Sequence, residues 1–151
     1  MKLKTEICPE GEEELILRAK TRTDRISRLE AALEQLLWDA GELNLTIGNT
    51  EFFVPKHDIL FFETEENRVS AHTAKNMYFT DKKLYELERL LPSTFMRVSK
   101  SCILNVAEIA SIDRNLTGAS EVTFRNCGKK VFVSRIYYKV LREKIEQMRL
   151  T

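Results

Sequence analysis

From Phe95 to Asn105 the chain reads Phe-Met-Arg-Val-Ser-Lys-Ser-Cys-Ile-Leu-Asn. Arg97, Ser99, Lys100, Ser101 and Asn105 fall within nine positions, between apolar residues that begin and end as strands. Guanidinium, ammonium, short hydroxyl and amide groups are the ones that contact phosphate oxygens and base edges. None of them is placed as a catalytic nucleophile or a metal cage. The residue types in this segment therefore point toward nucleic acid.

Two further polar tips separate apolar strands, Glu66-Asn67-Arg68 and the Ser134-Arg135 junction that follows Val131-Phe132-Val133. Arginine can pair two-pronged with guanine, asparagine with adenine, and lysine with guanine or phosphate. Loops on a rigid sheet can carry such contacts, although any one of these tips alone is most simply a solvated turn. The final helix carries Lys139, Arg142, Lys144 and Arg149, but Glu143 and Glu146 interrupt them, so it does not resemble a recognition helix.

Enzyme chemistry finds little support. His57 and His72 are the only histidines and stand in no metal-ligand spacing. His57 falls in a loop after Pro55-Lys56, and His72 alternates within a strand, where a structural role is expected. Cys102, between Ser101 and Ile103, reads as a small buried hydrophobe. No nucleophile elbow, dinucleotide fingerprint or phosphate-cradling loop is present, and five glycines leave little material for one. The expectation is no catalytic residue, no metal site, no cofactor and no small-molecule substrate.

Composition agrees with a folded, soluble chain of 151 residues, 43% hydrophobic and 31% charged. No apolar run approaches the roughly 18 residues a membrane helix needs, and the start, MKLKTEICPEGEEE, is no signal peptide. Cys8, Cys102 and Cys127 are an odd set without ligand spacing, which suggests a reduced, cytoplasmic setting. The net charge of +1 hides an asymmetry: residues 1–42 hold 7 Lys/Arg against 10 Asp/Glu, and residues 95–151 hold 11 against 5. The last third is suited to an anionic partner.

Periodicity supplies the elements that must position the tips. Lys2–Cys8 and Glu14–Ala19 read as short strands around a Pro9-Glu10-Gly11 turn. Ile26, Leu29, Leu33, Leu36 and Leu37 then share one helical face that Gly41 ends. Residues 1–42 are thus expected as a small hairpin-plus-helix element that packs on the remainder or pairs with a second copy. Residues 43–151 read as mainly β, with strands at 43–47, 52–54, 59–62, 68–73, 77–79, 95–98, 103–106, 109–113, 121–124 and 130–133. A short helix capped by Thr80 or Asp81 ends at Pro92. A final helix capped by Ser134 carries Ile136, Val140, Leu141, Ile145 and Met148.

Several of these stretches in order resemble one family. ILFFETEENRVSAHT is similar to an early strand pair of the LytTR-type DNA-binding domain, and DKKLYELERLLPSTF to its central helix. FMRVSKSCILNVAEIASID resembles its most diagnostic segment, typically F-x-R-x-H-R-S-x-x-V-N followed by an I-x-x-I pair. GKKVFVSRIYYKVLREKI resembles its closing strand and helix. The likeness runs from about residue 43 to residue 148.

The resemblance implies a mainly β, LytTR-like sandwich with short helices that inserts loops into successive major grooves of double-stranded DNA. Base-reading contacts carry over to Asn67 or Arg68, to Lys100 and to Arg135, with Arg97, Ser99 and Ser101 setting register on the backbone. One position departs from the pattern, since the family often has His where this chain has Ser99. The resemblance further implies a bacterial transcription regulator that binds paired sites as a homodimer. Residues 1–42 are too few for the receiver domain of better-known members, so the arrangement is similar to short regulators governed by a separate, often membrane-bound, partner. A competing expectation is a protein-interaction module that kept the fold and lost DNA. Single-stranded nucleic acid is disfavoured, because it wants aromatics exposed on a sheet face and Phe52, Phe53, Phe61, Phe62, Phe124 and Phe132 fall where strands should be buried.

Overall fold

The computed structural model describes residues 1–149, the side chain of Arg149 excepted. Helix α1 spans Asp24–Asp39, and its N-cap Thr23 accepts the Ile26 N–H at 3.3 Å. Strands β1 (Glu42–Ile47), β2 (Thr50–Pro55), β3 (Phe61–Glu65), β4 (Arg68–His72) and β5 (Met77–Thr80) precede helix α2 (Leu84–Leu90). Then come β6 (Phe95–Ser99), β7 (Cys102–Asn105), β8 (Ile109–Asp113), β9 (Ser120–Phe124), β10 (Lys130–Val133) and helix α3 (Arg135–Arg149). The expected mainly β sandwich is what forms.

All strand pairs are antiparallel. A seven-stranded sheet runs β2-β1-β5-β4-β3-β7-β6, and a three-stranded sheet runs β10-β9-β8. Period two sends neighbouring side chains to opposite faces, so Phe61 and Leu104 enter one core while their neighbours Phe62 and Ile103 enter another. The first core is closed by Val122, Phe124, Val131 and Val133 of the small sheet and by Leu141 and Ile145 of α3. The second is closed by Trp38 of α1 and by Leu84 and Leu87 of α2. The large sheet is therefore the middle layer, and β3 and β7 are buried on both faces.

The C-terminal half of α1 is anchored on this second core. Trp38 meets the Phe95 ring edge-on at 5.5 Å between centroids, and Gln35 accepts the Thr94 hydroxyl hydrogen bond at 2.9 Å. Upstream the expectation fails in part: no residue from 1 to 23 is in a strand. The Pro9-Glu10-Gly11 turn does form, with Gly11 N–H donating to Cys8 O at 3.0 Å. Period-two alternation reports an extended chain and not a paired one, and a lone two-stranded ribbon is marginal without a surface to cover. The start of α2 also differs, since Lys83 is the N-cap position and its N–H is held by the Glu86 carboxylate at 3.1 Å. Thr80 instead accepts from Lys82 N–H at 3.2 Å, one turn too early to cap the helix.

One polar joint ties the two sheets together. The Lys129 ammonium, just before β10, donates to Asn76 O at 2.6 Å and to His72 Nδ1 at 3.2 Å. That tautomer leaves His72 Nε2–H to donate to Ser70 Oγ at 3.0 Å, and the Ser70 hydroxyl to donate to Glu63 O at 3.1 Å. The imidazole also stacks on Phe61, with centroids 4.2 Å apart. Burial first, and the Lys129 charge second, lower the His72 pKa from 6.5 to about 4.

Two outcomes follow for stability. Phe62→Ala, at a fully buried ring, is expected to cost about 3–5 kcal/mol in urea unfolding followed through the fluorescence of Trp38. A loss below about 1 kcal/mol would mean that Phe62 is not packed in the second core as described. Between pH 6.5 and about 4 the unfolded chain takes up a proton that folded His72 refuses, so stability should fall as pH drops through that window. Glu63, held above its ordinary range by burial and by Glu65, contributes with the opposite sign. Urea midpoints against pH should show a shallower acid slope in His72→Gln; an identical slope would remove His72 as its source.

Candidate nucleic-acid interface

The β3–β4 hairpin leaves only Glu66 and Asn67 outside the Glu65↔Arg68 pair, with φ of 49° and 65°. Two consecutive left-handed residues make the tight turn whose twist matches antiparallel strands, and asparagine tolerates that geometry better than most residues. The turn lifts Asn67 to the tip. Beside it Arg68 lies flat on Phe79, its guanidinium carbon 3.6 Å from the ring centroid. Stacking uses the face of the guanidinium and leaves its N–H edge for hydrogen bonding.

The β6–β7 tip is built on an irregularity. Arg97 pairs with Ile103 and Ser99 with Cys102, so a register shift separates them. Lys100 and Ser101 form the exposed turn, braced by Ser101 N–H donating to Ser99 Oγ at 3.2 Å. Ser101 O accepts from Thr64 N–H at 2.8 Å, which fastens this tip to β3 just below the first one. The Arg97 guanidinium turns inward to three protein acceptors: Ser99 O at 3.0 Å, Lys100 O and the Glu88 carboxylate of α2.

The third tip opens α3. Ser134 N–H donates to Val98 O at 3.1 Å, tying the helix start to β6 one residue before the second tip. The Ser134 carbonyl accepts from Tyr137 and Tyr138, so Ser134 stands at the cap position. Its hydroxyl does not cap as expected, however, and is buried without a protein hydrogen-bond partner. Ser134, Ser99, Ser101 and Lys130 line a common cleft between the tips. Arg135 follows, exposed.

All three expected tips thus stand at one end of the sandwich, linked by backbone hydrogen bonds. Their side chains differ in availability. Among the described residues, no protein hydrogen bond or ion pair engages the side chains of Asn67, Lys100 or Arg135, whereas each of the three guanidinium nitrogens of Arg97 has a protein acceptor. Sequence reading missed two neighbours. Arg114, in the β8–β9 loop, lies 5.0 Å from the Tyr138 ring centroid beside the start of α3. Glu88 escaped notice although it stands one turn after buried Leu84, and that i, i+4 relation was the available signal. Elsewhere, burial pushes the Cys102 thiol well up, so it stays protonated and is a poor nucleophile.

Known proteins share part of this sequence and its fold. The family model described as LytTr DNA-binding domain matches residues 49–146. Sensory transduction protein LytT from Bacillus subtilis is 30% identical over 103 residues, which cover 68% of this chain and 42% of that protein. LytT from Bacillus anthracis is 32% identical over 103 residues with the same coverage. A Staphylococcus aureus protein named as an uncharacterised HTH-type transcriptional regulator is 30% identical over 88 residues, 58% of this chain and 59% of that one. A solved LytTr DNA-binding domain from Bacillus cereus shares the fold, with a TM-score of 0.64 at 24% identity over 70% of this chain and 96% of that one. The chain spans less than half the length of its LytT relatives.

Proposed function

The chain belongs to the LytTr DNA-binding domain family, and from that membership we propose that it regulates transcription by reading double-stranded DNA in the major groove through loops. The observation that carries the reading is the convergence of the three tips at one end of the sandwich, held there by the Thr64–Ser101 and Ser134–Val98 hydrogen bonds. Base edges fall to Asn67, Arg68, Lys100 and Arg135, whose residue types match the donors and acceptors displayed in that groove. Ser99 and Ser101 are short donors suited to phosphate oxygens, which fix register without carrying sequence. Ser99 is shorter than the histidine common at this position, so this chain makes a closer or water-bridged contact there.

A second copy is the proposed partner, on paired DNA sites. Supporting this, the stripe on α1 is only partly covered by its own chain: Leu36 and Leu37 are exposed, and Ile26, Leu29 and Leu33 are half-buried. Joining two copies raises the effective concentration of the second reading head. A different observation favours a second reading, a protein-interaction module without DNA. Ile136 and Val140 stand exposed on α3 next to Arg135.

Salt separates the two readings. A DNA complex should lose affinity with a slope of about −0.9 per neutralised phosphate, and a slope near zero would favour the module. Arg135→Ala should cost about 1–3 kcal/mol on a duplex selected from a random pool while leaving the urea midpoint unchanged. Equal affinity of the variant and the unmodified chain for that duplex would remove Arg135 from the reading set.

A further inference from the structure

We infer that Glu88 and Arg97 form a positioning pair for the Lys100 tip, so that Arg97 acts on DNA only through the loop it holds; this rests on the DNA-binding reading above. A guanidinium carries five N–H donors in a fixed planar fork. Here Nε binds Ser99 O, one terminal nitrogen binds Lys100 O, and the other binds the Glu88 carboxylate. The register shift after Arg97 takes the tip out of the β6–β7 ladder, and Arg97 satisfies two consecutive carbonyls of that stretch. A single cation thereby clamps the carbonyls of the two peptide units on either side of the Lys100 Cα.

Glu88 gives the clamp its anchor. Leu84 and Leu87 bury one face of α2 in the second core, and Glu88 projects from the same short helix to the guanidinium. Core packing is thus connected to the tip through one helix, one carboxylate and one guanidinium. Lysine cannot replace Arg97, because an ammonium is a point donor without the fork. Surface ion pairs add little to stability, so substitutions at the pair should leave the fold intact.

The sign of one substitution decides the matter. Glu88→Gln makes the protein more positive, yet a positioning role predicts about tenfold weaker binding to its selected duplex. Binding to a random-sequence duplex of equal length should stay equal or tighten. Arg97→Lys and Arg97→Gln should lose as much on the selected duplex, with Arg97→Lys keeping the salt slope. In all three full-length variants the Lys100 and Ser101 amides should exchange hydrogen faster, at unchanged urea midpoint.

Tighter or equal binding of Glu88→Gln to the selected duplex would overturn the pair. So would an Arg97→Gln variant that weakens both duplexes alike, with a slope shallower by about 0.9, as loss of one phosphate contact requires. Should the unmodified chain select no duplex, the DNA reading fails by itself. The exchange measurement still judges the pair, and unchanged exchange at Lys100 and Ser101 refutes it.

Discussion

The pairing of β3 with β7 is the constraint from which the rest of the architecture follows. Phe61 faces Leu104 and Phe62 faces Ile103, and every one of these side chains is buried. Strands covered on both faces must be apolar throughout their middles. Polar chemistry can enter only where the strands leave the sandwich, and Glu63↔Cys102 marks that border. Beyond it the chain turns polar within two or three residues on each side. The end that carries the three tips is therefore where the solubility of two central strands in the core runs out.

Hydrogen bonds between elements then turn three separate turns into one surface. Thr64 holds Ser101, and Val98 holds Ser134. Each bond uses a backbone group at the end of a ladder that would otherwise be orphaned, which is costly once water is excluded. The polar joint at Lys129 and His72 plays the corresponding part between the sheets, fixing the strand that leads into α3. Loops so tied lose little freedom when a partner arrives, and that favours tight and selective contact.

Much of this was legible in the sequence because alternation and turn chemistry are local. Most of the strands announce themselves through period two, β3 and β7 through short continuous apolar runs, and Glu66-Asn67 through its turn preference. The same rule misled at residues 1–23, where an alternating pattern forms no ladder. Pattern records which way side chains point and says nothing about whether a neighbour is present. The convergence of the tips was not legible from spacing either; only the family resemblance supplied it. A cation in a polar tip such as Arg97 reads most simply as a group facing DNA, and its protein contacts are not visible locally. Its partner Glu88 lies nine positions away on another element, and no local rule joins them. Ser134 shows a subtler gap: the cap position was legible, but the Tyr137 N–H that its hydroxyl would cap donates to the Ser134 carbonyl instead.

The register shift between Arg97 and Ser99 has a bearing on how such a protein diversifies. In a regular hairpin, one inserted or altered residue at the turn slides the whole ladder and exchanges its inner and outer faces. Here the irregularity absorbs that mismatch before it reaches Ile103 and Leu104. The ladder below the tip keeps its register whatever the tip carries, while the tip itself is held from the side by Arg97 and Glu88. Residues at positions 99 to 101 can be exchanged, and serine accepted where relatives often carry histidine, without a toll on folding. The fold thereby separates the part that must stay the same from the part that is free to change.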